Sequence, residues 1–301
     1  MGNSLPVAYA GEPGAFAEDA VIATFGEAPR LAVGSFRDVF DAVTDGRAAA
    51  GVVPIENLLN GTVRETYDLL LEHDLHVVGE VVVPVRLCLA ALPGQSLDAI
   101  ERIYSHIQAL GQAEAFLRSR PWMTMTTYNT AGAGKLIRER GELGAAAVLS
   151  PRAAAGFGLE ILAEDIQGAL DNRTRFLVIA AIAAAASPSP ANPPSDVPPS
   201  AGSTRDLPPD DPPRRTTLAF AVRNEPGSLL RALRTFAERG VNLSSLESRP
   251  SRTAAWEYVF WADVDADAAA PACAEALAEL REASTMVRVL GSYPRASEPG
   301  Q

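Results

Sequence analysis

A proline-rich segment from Ser187 to Pro213 divides the chain. It reads SPSPANPPSDVPPSAGSTRDLPPDDPP and holds ten of the 23 prolines in the 301-residue sequence, with almost no large apolar side chain. Such a segment cannot bury a core, and its composition favours extended backbone. We therefore predict a semi-extended linker over 187–213, between one folded domain over 4–183 and a second over 215–295.

Short strand-like runs alternate with helical patterns before that linker. LPVAYA (Leu5–Ala10) precedes the helical pattern AFAEDAVIATFG, and AAGVVPI (Ala49–Ile55) precedes TVRETYDLLLEH. This alternation predicts an α/β domain. In such folds ligands usually lie beyond strand ends or in a cleft between two lobes.

The order of elements changes after the linker. TTLAFAVR (Thr216–Arg223) is a predicted strand, followed by the helical pattern GSLLRALRTFAERG, two strands, a second helix and a last strand in MVRVLGSYP. The order βαββαβ over about 80 residues predicts a ferredoxin-like domain.

Charge and composition exclude several classes of function. The formal net charge of −11 argues against a nucleic-acid partner, so any anionic substrate must be held by a few local cations. No apolar run is long enough to span a bilayer, and the N-terminus lacks a signal-peptide pattern. Cys88 and Cys273 are far apart and form no metal-binding pattern. We expect a soluble cytoplasmic protein without membrane association, structural zinc or other metal.

Gly11 and Gly14 lie between the first predicted strand and helix, in YAGEPGAFAEDA. The first amides of that helix could face an anion. The segment lacks the G-x-G-x-x-G dinucleotide pattern. A plain strand-to-helix turn and an anion cradle both fit the residues.

The segment VVPIENLLNGTVRETYDLL combines structural and unexplained polar residues. Thr62 and Glu65 have the spacing of a capping box for the following helix. Glu56 and Asn57 end a predicted buried strand, where polar groups need partners. They are candidate site residues.

The segment IYSHIQALGQAEAFL places Ser105, His106 and Gln112 around the start of a helix. Ser105 is a natural N-cap, and a lone histidine is more often structural than catalytic.

The segment DNRTRF immediately precedes an apolar run that is typical of a buried strand. Asp171 with Arg173 and Arg175 can be a solvated surface cluster. Alternatively, the arginines grip a carboxylate while the Thr174 hydroxyl donates a hydrogen bond to a leaving group. Both interpretations are compatible with these residues.

Taken together, the motifs resemble the prephenate dehydratase family in its form with a C-terminal ACT regulatory domain. GEPGAFAEDA, VVPIEN, YDLLLEHDLHVVGE, YSHIQALGQAEAFL, NTAGAGKLI, DNRTRFLVIA, LESRP and VLGSYP all occur in the family's order. The resemblance implies two α/β lobes like those of a type 2 periplasmic binding protein, with the active site in the cleft between them. It also implies loss of carbon dioxide and water from prephenate to give phenylpyruvate, with no metal or other cofactor.

The resemblance implies roles for the candidate residues. Thr174 would assist departure of the ring hydroxyl and Arg175 would hold a substrate carboxylate. The remaining family positions would complete the hydrogen bonding or lie nearby: Asn57, Gln112 and Ser105, with Glu56 and His106.

The same resemblance implies that phenylalanine binds the ACT domain and acts as a feedback effector. The matching segments are NEPGSLLRAL and LESRP, and the candidate residues are Asn224, Glu225, Pro226, Gly227, Ser228, Leu229, Leu230, Glu247, Ser248, Arg249 and Pro250. ACT domains associate edge to edge, so a homodimer or homotetramer is expected. An ACT domain kept only for dimerisation is the alternative.

Four positions depart from the family pattern. Leu58, Ala15 and Ala17 replace residues that usually carry hydroxyls, and Ile107 replaces a proline. These departures affect the expected substrate contacts more than the reaction class. Arogenate dehydratase, prephenate decarboxylase and a non-catalytic amino-acid sensor remain alternatives, although an intact Thr174 argues against the last two.

Overall fold

The computed structural model describes residues 5–169, 171–181, 212–250 and 258–296. These residues divide into two compact units. The first contains the described residues up to Asp74 and Val81–Ala181, and the second contains Leu75–Glu80 with the described residues from 212 onward. The predicted linker falls almost entirely outside the described residues.

Lobe 1 of the first unit is a mixed sheet with helices packed on it. Its elements are β1 (Val7–Ala10), α1 (Phe16–Phe25), β2 (Arg30–Val33), α2 (Phe36–Thr44), β3 (Ala50–Asn57), β4 (Gly61–Thr62), α3 (Arg64–Glu72), β5 (Leu75–Pro84) and β11 (Arg173–Ala181). The first six residues of β5, Leu75–Glu80, are counted with the second unit. Parallel strands β2, β1 and β3 are followed by β11, which runs antiparallel to β3, and then by β5, while β4 pairs beside β3.

Lobe 2 is inserted between β5 and β11. Its elements are β6 (Cys88–Ala91), a 3₁₀ helix (Leu97–Ala99), β7 (Arg102–Ser105), α4 (Ile107–Gln112), α5 (Glu114–Leu117), β8 (Met123–Thr126), α6 (Thr130–Arg140), β9 (Ala145–Leu149), α7 (Pro151–Gly156) and β10 (Glu160–Ala163). The strands form a separate five-stranded sheet in the order β10-β6-β9-β7-β8. The two-lobed α/β architecture is thus confirmed.

The central strands of lobe 2 are apolar on both sides. Leu89 and Val148 pack in a core cluster with Ile103, whereas Cys88 and Leu149 pack in a second cluster with other residues. Successive strand residues point to opposite faces, so a strand covered on both faces needs a continuous apolar run. This explains why β9, with the sequence AAAVL, contains no polar residue.

The two lobes are in close contact where Gly14 meets α7. A Cβ atom at Gly14 would lie 2.5 Å from Ala153 Cα, and Gly14 has a φ of +88°. The buried Ser150 hydroxyl donates to the Gly14 carbonyl oxygen at 2.7 Å. Arg152, on α7, forms ion pairs with Glu18 and Asp19 of α1. A glycine is therefore required at position 14 by both space and backbone conformation.

The second unit contains the predicted βαββαβ order. Its elements are β12 (Arg214–Ala221), α8 (Ser228–Ala237), β13 (Leu243–Pro250), β14 (Tyr258–Val264), α9 (Pro271–Ala283) and β15 (Met286–Pro294). The antiparallel sheet has the order β13-β14-β12-β15, and α8 and α9 pack on it through one apolar core. The ferredoxin-like topology is confirmed.

Some local predictions were wrong or incomplete. The capping box is absent because α3 begins at Arg64, so Val63 occupies the N-cap position and Thr62 pairs with Glu56 in β4. The sequence patterns also did not indicate α7 or β10, which are short and lack a clear periodicity. Of the described helices, none is long and apolar enough to cross a membrane.

We expect Gly14→Ala to destabilise the first unit by about 2–5 kcal/mol, from left-handed strain together with overpacking against Ala153. Gly46→Ala is the matched control, because Gly46 has a φ of +71° but a Cβ atom added there would have no neighbour within 4 Å. That control should cost about 1 kcal/mol. Thermal unfolding of both variants measures the difference. Equal decreases in Tm would show that the lobes do not approach closely at Gly14.

Candidate active site

The polar ends of β3 and β11 lie side by side in lobe 1. In the antiparallel register, Thr174 is opposite Asn57, and Arg175 is opposite Glu56. Because successive strand residues face opposite sides, the Thr174–Asn57 pair and the Arg175–Glu56 pair lie on opposite faces of the sheet. The sheet register therefore separates the predicted site residues into two pairs.

Asn57 joins the first pair through its side-chain amide. Its Nδ2 donates to Thr174 Oγ1 at 3.0 Å, to Asn172 Oδ1 at 2.9 Å and to the Arg173 carbonyl oxygen at 3.1 Å. Asn57 and Thr174 are both buried. Since Thr174 Oγ1 accepts this bond, its hydroxyl hydrogen is available for another acceptor. Within the described part of the chain, no such acceptor is present.

Gln112 joins this group from lobe 2. Its Oε1 accepts a hydrogen bond from Asn172 Nδ2 at 3.0 Å. Asn172 is 3% exposed and stands directly before β11. The structure thus brings Asn57, Thr174 and Gln112 together through a residue to which no site role was given. The sequence did show an asparagine two residues before the candidate threonine, but its burial is known only from the structure.

The two arginines of DNRTRF are paired with carboxylates. Arg175 lies 3.5 Å from Glu56, and the Arg175 side chain is 11% exposed while that of Glu56 is 50% exposed. Arg173 lies 2.5 Å from Asp171. Both arginines alternate with Thr174 along β11, so the structure does not bring their guanidinium groups to the Thr174 hydroxyl.

Ser105 and His106 occupy the junction of β7 and α4. The predicted Ser105 cap was wrong: the fully buried Ser105 hydroxyl donates to the Val148 carbonyl oxygen at 2.6 Å. His106 is the N-cap, and its Nδ1 accepts a bond from the Gln108 amide at 3.4 Å. Burial lowers the pKa of His106, which favours the neutral imidazole that this bond requires.

The glycine turn before α1 is already occupied by a carboxylate of the same helix. The Gly14 amide donates to Glu18 Oε2 at 2.7 Å, and Glu18 also forms an ion pair with Arg30. A negative side chain in the first turn satisfies the amides that an external anion would use. Of the two interpretations of this segment, the contact favours a plain structural turn.

Neither cysteine is suited to nucleophilic chemistry. Both are free and buried, and burial raises the pKa of Cys88 to about 12 and that of Cys273 to about 11. Each thiol is therefore protonated at neutral pH. The described residues also contain no group of three or more potential metal ligands.

In the second unit, the segment Asn224–Gly227 leads into α8. Gly227 is the N-cap with a φ of +82°, and no side chain caps this helix end. The other candidate effector segment, Glu247–Pro250, lies in β13, which is an edge strand of the sheet. The Ser228 amide donates to the Glu225 carbonyl oxygen at 3.2 Å, so Leu229 and Leu230 carry the first amides of α8 that have no partner among the described residues.

Family models match both parts of the chain. The model described as prephenate dehydratase matches residues 7–183, and the ACT domain model matches residues 216–282. The chain belongs to the prephenate dehydratase family. This family consists of hydro-lyases, and the matched range includes the DNRTRF segment whose geometry is described above.

This member of the prephenate dehydratase family aligns over nearly its whole length with two curated relatives. The bifunctional chorismate mutase/prephenate dehydratase of Aquifex aeolicus is 37% identical, over 98% of this chain and 75% of the relative. Arogenate dehydratase 5 of Arabidopsis thaliana is 36% identical, over 99% of this chain and 69% of the relative. The chain is thus similar to enzymes named for either of two substrates.

Two solved structures have the same fold as this chain. The prephenate dehydratase of Arthrobacter aurescens in complex with L-Phe is 31% identical with a TM-score of 0.80, covering 97% of this chain and 90% of that one. GqqA, a quorum quenching acylase, is 33% identical with a TM-score of 0.81, covering 97% and 98%. The fold is therefore shared with a protein named for a different activity.

We expect His106→Asn to retain kcat within about threefold, since asparagine is an equally good N-cap. In the wild type, the cap is present while the imidazole is neutral. Because the folded-state pKa is lowered, the cap's contribution is complete above the unfolded-state pKa and is lost as pH falls through the folded-state value. Tm should therefore fall less at acid pH in the variant than in the wild type, which thermal unfolding across the pH range measures. A loss of about 100-fold at neutral pH would instead show that the imidazole takes part in the chemistry.

Proposed function

We propose that this protein converts prephenate to phenylpyruvate. Prephenate carries two carboxylates and a ring hydroxyl. In the reaction the bond from the ring to its carboxylate breaks and releases carbon dioxide, the electrons of that bond enter the ring, and the hydroxyl takes up a proton from solvent and leaves as water. The ring becomes aromatic, so the step requires no redox change in the protein. The main requirement is a hydrogen-bond donor at the leaving oxygen.

The Asn57–Thr174 hydrogen bond supports this proposal most directly. With Thr174 Oγ1 accepting from Asn57 Nδ2, the hydroxyl hydrogen is free to donate to the departing hydroxyl of the substrate. A threonine is a poor acid, so its contribution is an oriented hydrogen bond to developing negative charge. Gln112 would supply a further hydrogen bond from lobe 2, and Ser105 and His106 would hold the start of α4 in place.

For Arg175 we propose a substrate carboxylate as an alternative partner to Glu56. Their contact of 3.5 Å is long, and the half-exposed Glu56 can turn toward solvent when another carboxylate arrives. Because Arg175 and Thr174 face opposite sides of β11, this carboxylate must belong to a different end of the substrate from the leaving hydroxyl.

Thr174→Ala should lower kcat by ~100-fold or more, because it removes the donor at the leaving oxygen. Thr174→Ser is the matched control, since it retains the hydroxyl and should keep most of the rate. Steady-state kinetics with prephenate measure both variants, and circular dichroism verifies that they are folded. Near-normal turnover by Thr174→Ala would exclude Thr174 from the mechanism.

Arogenate is the second candidate substrate. Arogenate dehydratase 5 of Arabidopsis thaliana is about as similar to this chain as the bifunctional enzyme is. Arogenate differs in having an amino group where prephenate has a keto group, so the same leaving hydroxyl and the same Thr174 would serve both.

Product analysis by mass spectrometry separates these activities. The purified protein is incubated with prephenate and with arogenate, and Thr174→Ala and enzyme-free samples are controls. Phenylpyruvate supports prephenate as the substrate, whereas faster formation of phenylalanine from arogenate supports the second candidate. A non-aromatic keto acid would indicate decarboxylation alone. If neither substrate reacts, an amino-acid sensor or an acylase replaces the dehydratase proposal, and release of amine from an N-acyl amine distinguishes the two.

We also propose feedback inhibition by phenylalanine at the ACT domain of a cytoplasmic homodimer or homotetramer. The uncapped start of α8 can receive an amino acid's carboxylate, and the related enzyme from Arthrobacter aurescens was solved with L-Phe. Pairing of exposed strand edges would bring two copies together.

Phenylalanine is expected to lower the rate and to raise Tm, because a ligand that binds only the folded state stabilises it. At ~100 times its Kd the stabilisation is about 2.7 kcal/mol. Asn224→Ala should shift both responses to higher phenylalanine concentration, and light scattering with and without phenylalanine gives the oligomeric state. Unchanged rate and Tm would leave dimerisation as the role of this domain.

A further inference from the structure

Asn172, directly before β11, links side chains of lobe 1 and lobe 2 in one hydrogen-bond chain. It is buried at 3% exposure, and its backbone oxygen accepts a bond from the Val85 amide at 2.7 Å. Its side chain contacts Asn57 of lobe 1 and Gln112 of lobe 2. A buried amide in this position must be satisfied on both its oxygen and its nitrogen side.

The direction of this chain of amides is fixed at its first member. Asn57 Oδ1 accepts from the backbone amides of Leu59 at 3.1 Å and Asn60 at 2.9 Å. Those donors cannot be reversed, so Asn57 must direct its nitrogen toward Asn172. The oxygen of Asn172 therefore faces Asn57, and its nitrogen faces Gln112.

The last member of the chain is then oriented as well. Gln112 must direct Oε1 toward the nitrogen of Asn172, which leaves both hydrogens of Nε2 directed elsewhere. In the described part of the chain, no residue accepts from Gln112 Nε2. We infer that Asn172 is a positioning residue that holds Gln112 with its amide nitrogen toward the substrate, as a donor matched to the Thr174 hydroxyl.

This inference deepens the proposed function and rests on it for the identity of the acceptor. A carboxylate or a departing hydroxyl accepts hydrogen bonds, so a site for either must present donors. Without Asn172, the Gln112 amide can rotate by half a turn and present its oxygen instead. The Gln112 oxygen would then repel the substrate oxygen at the position where a hydrogen-bond donor is needed.

Asn172→Asp replaces the amide nitrogen that donates to Gln112 with an oxygen, and it leaves the shape of the side chain almost unchanged. The ionised carboxylate still accepts from Asn57, but its second oxygen faces Gln112 Oε1, so Gln112 must turn and donate from Nε2. When the introduced carboxyl is protonated, its hydroxyl can donate to Gln112 Oε1, which restores the original direction. Burial favours this protonated form.

We expect kcat/KM of Asn172→Asp to be ~30-fold below wild type at pH 8 and to recover to within about threefold as pH falls to about 5.5. The control is Asn129→Asp, which adds the same charge at the N-cap of α6 and keeps its bond to the Gly132 amide. Its pH profile should match that of the wild type.

The other ionisable groups on the segments that meet at Asn172 are common to all these proteins. They are Asp171 and Arg173 beside it in the chain, Glu56 on β3, Arg175 on β11 and His106 before α4. Their effects on kcat/KM are present in the wild type and in Asn129→Asp as well. Dividing the pH profile of Asn172→Asp by that of the wild type therefore removes them. Thermal unfolding at each pH verifies that the variants are folded.

Gln112→Glu provides a second variant that keeps the contact with Asn172. Its carboxylate accepts from Asn172 Nδ2 but has no hydrogens to offer, so we expect a loss of kcat/KM similar to that of Asn172→Asp at pH 8. Its loss should not be relieved at acid pH to the same extent, because a protonated carboxyl offers one hydrogen in place of two.

An NMR measurement tests the geometry without turnover. The side-chain amide signals of Gln112 are identified by their absence from Gln112→Glu. In Asn172→Asp they should shift at pH 8 and return toward the wild-type position at pH 5.5, whereas Asn129→Asp leaves them unchanged. If neither prephenate nor arogenate reacts, the proposed function fails while this measurement still decides the orientation of Gln112.

Three results would overturn the inference. The first is kcat/KM of Asn172→Asp within threefold of wild type at pH 8. The second is an equal loss at every pH in folded protein, which would indicate packing alone. The third is Gln112 amide signals that do not respond to Asn172→Asp.

Discussion

The side-chain amide of Asn57 is the interaction on which the arrangement of the candidate site depends. Its oxygen accepts hydrogen bonds from two backbone amides of the turn that follows β3. Its nitrogen donates to three oxygens at the start of β11. A buried amide left without partners is costly, so this set of bonds fixes both the turn and the strand relative to each other. Thr174 is held at a defined position because its oxygen is one of those acceptors.

The close approach of the two lobes at α7 depends on small residues. Gly14 and Ala153 leave no space for larger side chains, and Ser150 satisfies the Gly14 carbonyl oxygen in the buried contact. The carboxylate of Glu18 then accepts from the Gly14 amide and pairs with Arg152. A single loop thus ends β1, starts α1 and contacts lobe 2. This explains the sequence GEPGA in packing terms, without an external anion.

The candidate site of this acidic chain contains charged donors that are already paired and neutral donors that are not. Arg173 and Arg175 are each paired with a carboxylate, whereas Thr174 and Gln112 retain unpaired hydrogens in the described structure. Neutral donors in a buried setting bind developing charge without the desolvation cost of a free cation. The departures at Leu58 and Ile107 are consistent with this arrangement, because both side chains are exposed and neither contributes to the amide chain.

The sequence alone determined the domain types and the positions of the important motifs. Alternating strand and helix patterns indicated α/β lobes, and the βαββαβ order indicated the ferredoxin-like domain, because periodicity is a local property of the chain. Tertiary structure alone decided which side chains meet. Asn57 and Asn172 are 115 residues apart, and Asn172 and Gln112 are 60 apart, so their contact depends on strand register and lobe packing. The separation of Arg175 from Thr174 has the same origin, since a one-residue step along a strand reverses the face.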